Sequence, residues 1–320
     1  MKTFMKKCVI AIILLLLVGC NDSLQPTRIS TGTPALGVSP QEKTPTVKTP
    51  TMTATQEPTL HPTLSGESAK ELALQLLKDN SNCRLPCWWG ITPGVTTLQD
   101  TSSILNPFSS LASTNSIDNN HGSMRLRIPN GEGLLYLVVE YDGINAKVNK
   151  LIVTISQLVK NKNGDYEQTF VEPAFAQATQ SFQLTEILKL YGQPKQIMIS
   201  TYSSQPLGWP VFFDIQLFYP DHGFLIAYES LMVSSTNGYV KGCPSKSNIN
   251  MGLWEPGKYS SINEIPEDIR NNISAFPLSS YLQIDEATKM SIQDFYETFK
   301  NDDGTLCLET PSNLWPMPGQ

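Results

Sequence analysis

Cys83 and Cys87 stand four residues apart in the stretch Cys83-Arg84-Leu85-Pro86-Cys87-Trp88-Trp89-Gly90, with Cys243 and Cys307 far downstream. Thiols at such positions either close disulfides or ligate a metal. A structural zinc site wants a C-x2-C knuckle or nearby histidines, and His61, His121 and His222 offer neither spacing. Disulfides are the favoured reading, a metal is the rival, and no cofactor is called for. The adjacent Trp88 and Trp89, aided by Trp209 or Tyr202, have the ring area to stack on a sugar or a peptide. The competing reading, which is favoured, is an aromatic plug packed in the core beside a small disulfide.

Acid–base and nucleophilic chemistry is thinly represented. The sequence has no G-x-S-x-G elbow, H-E-x-x-H helix, Walker loop or strand-bound glycine fingerprint. His121 follows Asn119-Asn120 and precedes Gly122, and His222 lies between Asp221 and Gly223, which is turn chemistry in both cases. Glu140, Asp142, Glu172 and Asp214 are candidates for the paired carboxylates of glycoside cleavage, but their spacing does not set them apart from other acids. Asp214 alternates with Phe213, Ile215 and Leu217, so it is expected to face outward. No enzymatic activity is expected.

What positions these residues begins at the amino terminus. Lys2, Lys6 and Lys7 precede an apolar run from Cys8 to Val18, and Gly19 precedes Cys20. This is the layout of a bacterial secretory signal peptide over residues 1–19, and the run is too short for a spanning helix, which needs about 20 residues. The tail Leu17-Val18-Gly19-Cys20 resembles the lipobox of bacterial lipoproteins. The resemblance implies cleavage before Cys20 and acylation of its thiol with a palmitate-type lipid. Its further implications are a membrane partner held through that lipid and a place outside the cytosol, on the cell membrane or outer membrane. The whole chain carries a net charge of −6. Removing the leader takes away three lysines and no acid, leaving −9. An acidic chain without a basic block is poorly suited to a phosphate backbone or an anionic bilayer, so no nucleic-acid partner is expected.

With Cys8 removed and Cys20 acylated, four cysteines remain, and an even number in an exported chain argues for disulfides. Three pairings are possible. Cys83–Cys87 is favoured because residues four apart in one turn lie about 6 Å apart at Cα, inside the bonding window. That leaves Cys243–Cys307, closing a loop of roughly 64 residues for roughly 4 kcal/mol on the chain-entropy model.

Residues 20–64 are dominated by Thr and Pro, a composition that cannot offset its ordering entropy and is expected to form a disordered stalk. Ser68-Ala69-Lys70-Glu71 then reads as a capping box opening an amphipathic helix. A second helix follows Thr96-Thr97, and strands are expected at 124–128, 134–141 and 148–155, the last two joined through Asp142-Gly143. A helix at 182–191 precedes strands at 195–202, 212–219 and 224–233. Further helices are expected at 262–273, shortened by Pro266, and at 292–300 behind a Ser291 cap, with an extended surface tail from Cys307.

The expected class is therefore α+β, with helical segments followed by antiparallel three-strand meanders. Two loosely repeated units fill 65–236, and a C-terminal subdomain at 237–320 is closed by a disulfide. Element order and the turn Leu190-Tyr191-Gly192-Gln193-Pro194 resemble the small α+β fold of β-lactamase-inhibitor proteins and of the lipoprotein that assists outer-membrane barrel assembly. Leu85-Pro86-Cys87-Trp88-Trp89-Gly90-Ile91 with Pro93-Gly94 and Thr96 resembles a recurring motif of bacterial lipoproteins of unknown function. These features lead to a lipid-anchored envelope protein whose stalked domain binds another envelope protein through sheet faces rich in Phe, Tyr and Trp. The alternative is a carbohydrate-binding or hydrolytic surface lipoprotein using Trp88, Trp89 and Trp209.

Overall fold

Alternating apolar residues between 121 and 160 dictate long half-buried strands, and the rest of the fold is laid against them. A computed structural model describes residues 62–118, 120–131, 133–168, 173–202, 212–231, 234–274 and 276–315. Cys20, His61, Glu172, Trp209 and nearly all of the expected leader and stalk lie outside the described residues.

The described chain opens with α1 (Gly66–Asp79) and α2 (Leu98–Leu105). Strands β1 (Ala112–Ile117), β2 (His121–Asn130), β3 (Gly133–Ile144), β4 (Lys147–Lys160) and β5 (Tyr166–Gln168) follow. Next come α3 (Pro173–Ala178) and α4 (Leu184–Tyr191), then β6 (Gln196–Ser200), β7 (Phe212–Tyr219) and β8 (Phe224–Leu231). β9 (Ser234–Thr236), β10 (Tyr239–Gly242) and β11 (Ser247–Trp254) precede α5 (Glu267–Ile273). The chain ends in β12 (Leu282–Gln283), α6 (Ile284–Thr288), α7 (Ile292–Phe299) and β13 (Leu308–Pro311).

Local chemistry explains most boundaries. Thr97 caps α2 by accepting the Asp100 amide at 3.0 Å, and Ser291 caps α7 with Asp294 reciprocating. At α1 the cap is Ser65 rather than Ser68, so the helix starts at Gly66. Pro266 splits the expected 262–273 helix, leaving α5 alone behind a short turn. The β3–β4 turn falls at Asn145-Ala146, whose φ values of 54° and 61° suit a two-residue hairpin, and not at Asp142-Gly143. Gly143 sits inside β3 for another reason: a Cβ there would come within 2.6 Å of the Leu98 side chain.

The main sheet runs β1-β2-β3-β4-β11-β8-β7-β6-β12, with β5 also on β4, and β13-β10-β9 form a smaller sheet. The fold is thus α+β with a large antiparallel meander sheet. β11 pairs antiparallel with both β4 and β8, so the boundary expected at 236/237 runs through one sheet, and residues from Gln56 onward form one compact unit. The meanders β2-β3-β4 and β6-β7-β8 approach β11 from opposite sides with β4 and β8 parallel, while α1, α3 and α4 all pack into the same core. Helices followed by three antiparallel strands thus occur on either side of β11.

One sheet face carries the main core, which Leu126, Leu137, Val153, Ile215, Ile226 and Met251 share with the helices. The other face is covered over β11, β8, β7 and β6 by the segment around α5, where Ile269 and Ile273 pack on Phe218, Leu225 and Trp254. Over β2, β3 and β4 that second face keeps Tyr136, Val138, Thr154 and Ser156 half-buried, with Arg125 and Arg127 exposed. The Phe, Tyr and Trp residues expected on exposed faces are mostly inside. Within the expected surface tail, Leu308–Pro311 instead forms β13, which pairs with β10, and Trp315 is 5% exposed; residues 316–320 lie outside the described residues.

Candidate functional site

Both cysteine pairs are joined. Cys83 and Cys87 lie 5.8 Å apart at Cα, and Cys243 and Cys307 4.1 Å. Among the described residues no group of three or more His, Cys, Asp or Glu side chains is placed to hold a metal.

The Cys83–Cys87 loop is built around Asn80, which caps α1 in the left-handed region at φ 50°, a conformation Asn tolerates better than most residues. Its Nδ2 donates to the carbonyls of Cys83 and Cys87 at 2.9 Å each, and its Oδ1 accepts the Trp89 amide at 3.1 Å. The Leu85 amide donates to the Tyr191 hydroxyl at 2.7 Å, tying the loop to α4. Burial raises the Tyr191 pKa, and the donated hydrogen bond only partly opposes it. Trp88 and Trp89 hang from this clasp into the core, stacked at 4.1 Å and 12°, with Phe108 beyond.

Trp88 and Trp89 are 0% and 3% exposed. They are a core plug and offer no face to a sugar, because the clasp turns both rings inward from the loop. Tyr202, their expected helper, packs on Phe276 in the cluster on the opposite face of the sheet, so the sequence-derived platform is not assembled. Asp214 does point to the face opposite Phe213 and Ile215, yet it is fully buried, because that face is covered and Tyr281 donates to its Oδ2 at 2.6 Å. His222 lies in a turn among Tyr191, Tyr219 and Phe224.

A charged cluster that includes Glu140 and Asp142, which the sequence named without joining them to Lys150 and Asp268, lies where β2, β3 and β4 begin or end. His121 and Asp142 are register partners, as are Asp142 and Lys150. His121 Nδ1 is 2.5 Å from Asp142 Oδ1, and Lys150 Nζ is 2.7 Å from Asp142 Oδ2. Lys150 also pairs with Asp268 of α5. Burial pushes the Asp142 carboxyl up, but hydrogen bonds from His121 and Lys150 outweigh it and leave it below the usual carboxylate range. Burial lowers Lys150, and its two carboxylates more than restore it, to above the ordinary lysine value. With Glu140 and Asn272 these groups line a cavity of about 200 Å³. The imidazole–carboxylate pair has acid–base capacity, but among the described residues no hydroxyl or thiol is hydrogen-bonded to His121. A legible signal existed: residues on one face at the ends of consecutive strands become neighbours once the hairpin register is set.

Comparison with known proteins finds no matching family model, no matching curated protein and no matching solved structure.

Proposed function

We propose that this chain is a lipid-anchored protein of the bacterial cell envelope, exported through its first nineteen residues and held by an acylated Cys20. In this reading, residues 20–64 form a stalk that carries a non-enzymatic interaction domain. The observation that carries it is the pairing of all four cysteines downstream of Cys20, since disulfides persist in oxidising compartments. The polar, half-exposed face over β2, β3 and β4 supplies surface for a partner. Two loosely repeated units within 65–236 remain part of this reading, supported by the recurrence of helices before three strands on either side of β11.

The test is intact-mass analysis of full-length protein from its bacterial host, together with a Cys20→Ser variant. The expected product lacks residues 1–19 and carries lipid mass at Cys20, and the variant partitions out of the membrane fraction. A retained leader, or a bare thiol at Cys20, refutes the reading.

A further inference from the structure

The two disulfides sit in different surroundings. Cys243 is 1% exposed, and its partner Cys307 is half-buried. A thiolate attacking Cys307 must expel Cys243 as a thiolate inside the core. Apolar surroundings raise a thiol's pKa, and a high-pKa thiol is a poor leaving group. Cys83 and Cys87 are both half-buried instead, so a thiolate released from this pair is within reach of water. Arg84, the one charged side chain in the closed ring, is exposed between them and favours a thiolate on either side. Cys83 also stands in the wall of a cavity of about 180 Å³ with Arg84, Ser181 and Tyr191, and Cys87 does not line it.

The loop keeps its shape through bonds that do not involve sulfur. Asn80 holds the carbonyls of Cys83 and Cys87 and the Trp89 amide, and the Tyr191 hydroxyl holds the Leu85 amide. In addition, the Cys83 amide donates to the Asn80 carbonyl at 3.0 Å and the Cys87 amide to the Arg84 carbonyl at 2.9 Å. Trp88 and Ile91 exchange two backbone hydrogen bonds just beyond. Opening the disulfide breaks none of these contacts. Both cysteines stay at a Cα separation from which the bond can close again.

We propose that Cys83–Cys87 is a thiol–disulfide exchange site whose co-substrate is an accessible thiol, while Cys243–Cys307 is a structural cross-link. An incoming thiolate enters through the cavity and bonds to Cys83 Sγ. The Cys83–Cys87 bond breaks, and its electron pair leaves with Cys87 as a thiolate. A second thiolate then attacks the incoming sulfur, releasing Cys83 as a thiolate and a new disulfide between the two incoming thiols. Two electrons pass from those thiols to the cysteine pair. The reverse sequence reoxidises the pair and reduces a disulfide.

The proposal goes beyond the binding reading and does not depend on the lipid anchor. Its test uses full-length protein in detergent, without denaturant. The protein is incubated with reduced glutathione, or with an unfolded peptide bearing one cysteine, and is then alkylated and mapped. With at least one of these thiols, Cys83–Cys87 should open at least ~10-fold faster than Cys243–Cys307. Urea unfolding of the opened protein should remain a single transition, and oxidised glutathione should close the pair again. The single variants locate the attack. With oxidised glutathione, Cys87→Ser should gain an adduct on Cys83 at least ~10-fold faster than Cys83→Ser gains one on Cys87. Opening by glutathione alone would assign the site to small thiols, and opening by the peptide would extend it to protein thiols. Equal opening of the two pairs, opening only once the chain unfolds, or capture on Cys87 as fast as on Cys83 overturns the proposal.

Discussion

Replacing Asn80 by alanine should destabilise the domain far more than its single amide suggests. The side chain is 4% exposed and makes three hydrogen bonds that hold the Cys83–Cys87 loop and the Trp89 amide. Each is worth about 1 kcal/mol net, and more when the abandoned partner stays buried. Alanine must also adopt φ 50°, at a further cost of about 1–2 kcal/mol. The total is about 4 kcal/mol, a large share of a stability of about 5–15 kcal/mol. With an m-value of about 3 kcal/mol/M, the urea midpoint should fall by about 1.3 M, read from tryptophan fluorescence. Asn80→Asp keeps the acceptor for the Trp89 amide but sets a carboxylate oxygen against two carbonyls, so it should rescue little at neutral pH. A loss below about 1 kcal/mol in Asn80→Ala would refute the view that this residue organises the loop and the tryptophan pair behind it.

Two further outcomes follow from the cross-links and the charged cluster. The Cys243–Cys307 pair spans 64 residues and the Cys83–Cys87 pair four. On the chain-entropy model, serine at both positions of the long loop should therefore cost about 4 kcal/mol, against about 2 for the short one; equal losses in parallel urea titrations would contradict this. Asp142 is held below its ordinary pKa, so its contribution is present above the unfolded value near ~3.9 and is lost as pH falls through the depressed folded value. The stability gap between parent and Asp142→Asn should be flat near neutrality, below about 1 kcal/mol given its partial exposure, and should close below about pH 4. A gap that widens in acid would show the sign to be wrong.

Much of the framework was legible because it is written in local periods and caps. Alternation marked β2, β3 and β4; Thr96-Thr97 and Ser291 marked helix starts, the first cap falling on Thr97; and the four-residue spacing of Cys83 and Cys87 allowed their bond. The hairpin turn was misplaced because Asp142-Gly143 carries the stronger turn signature, while the glycine there serves the approach of Leu98, a contact from another element. Asp214 was assigned to the correct side of its strand but to the wrong solvent state, since the alternation of a strand does not reveal whether a second layer covers its outer face. The candidate site was less legible still. It gathers His121 of β2, Asp142 of β3, Lys150 of β4 and Asp268 of α5, which only the strand register and the packing of α5 bring together.

By itself the sequence determined the basic-then-apolar opening, the Thr/Pro-rich segment, the α+β class and the Cys83–Cys87 spacing, because each depends on composition or near neighbours. Only the tertiary structure decided that β11 closes the sheet between β4 and β8, that Trp88 and Trp89 face the core, and that His121, Asp142, Lys150 and Asp268 meet. Those outcomes depend on which distant strands pair and which faces are then covered. The free energy that selects them comes from burying surfaces contributed by segments far apart in the chain, which no local pattern records.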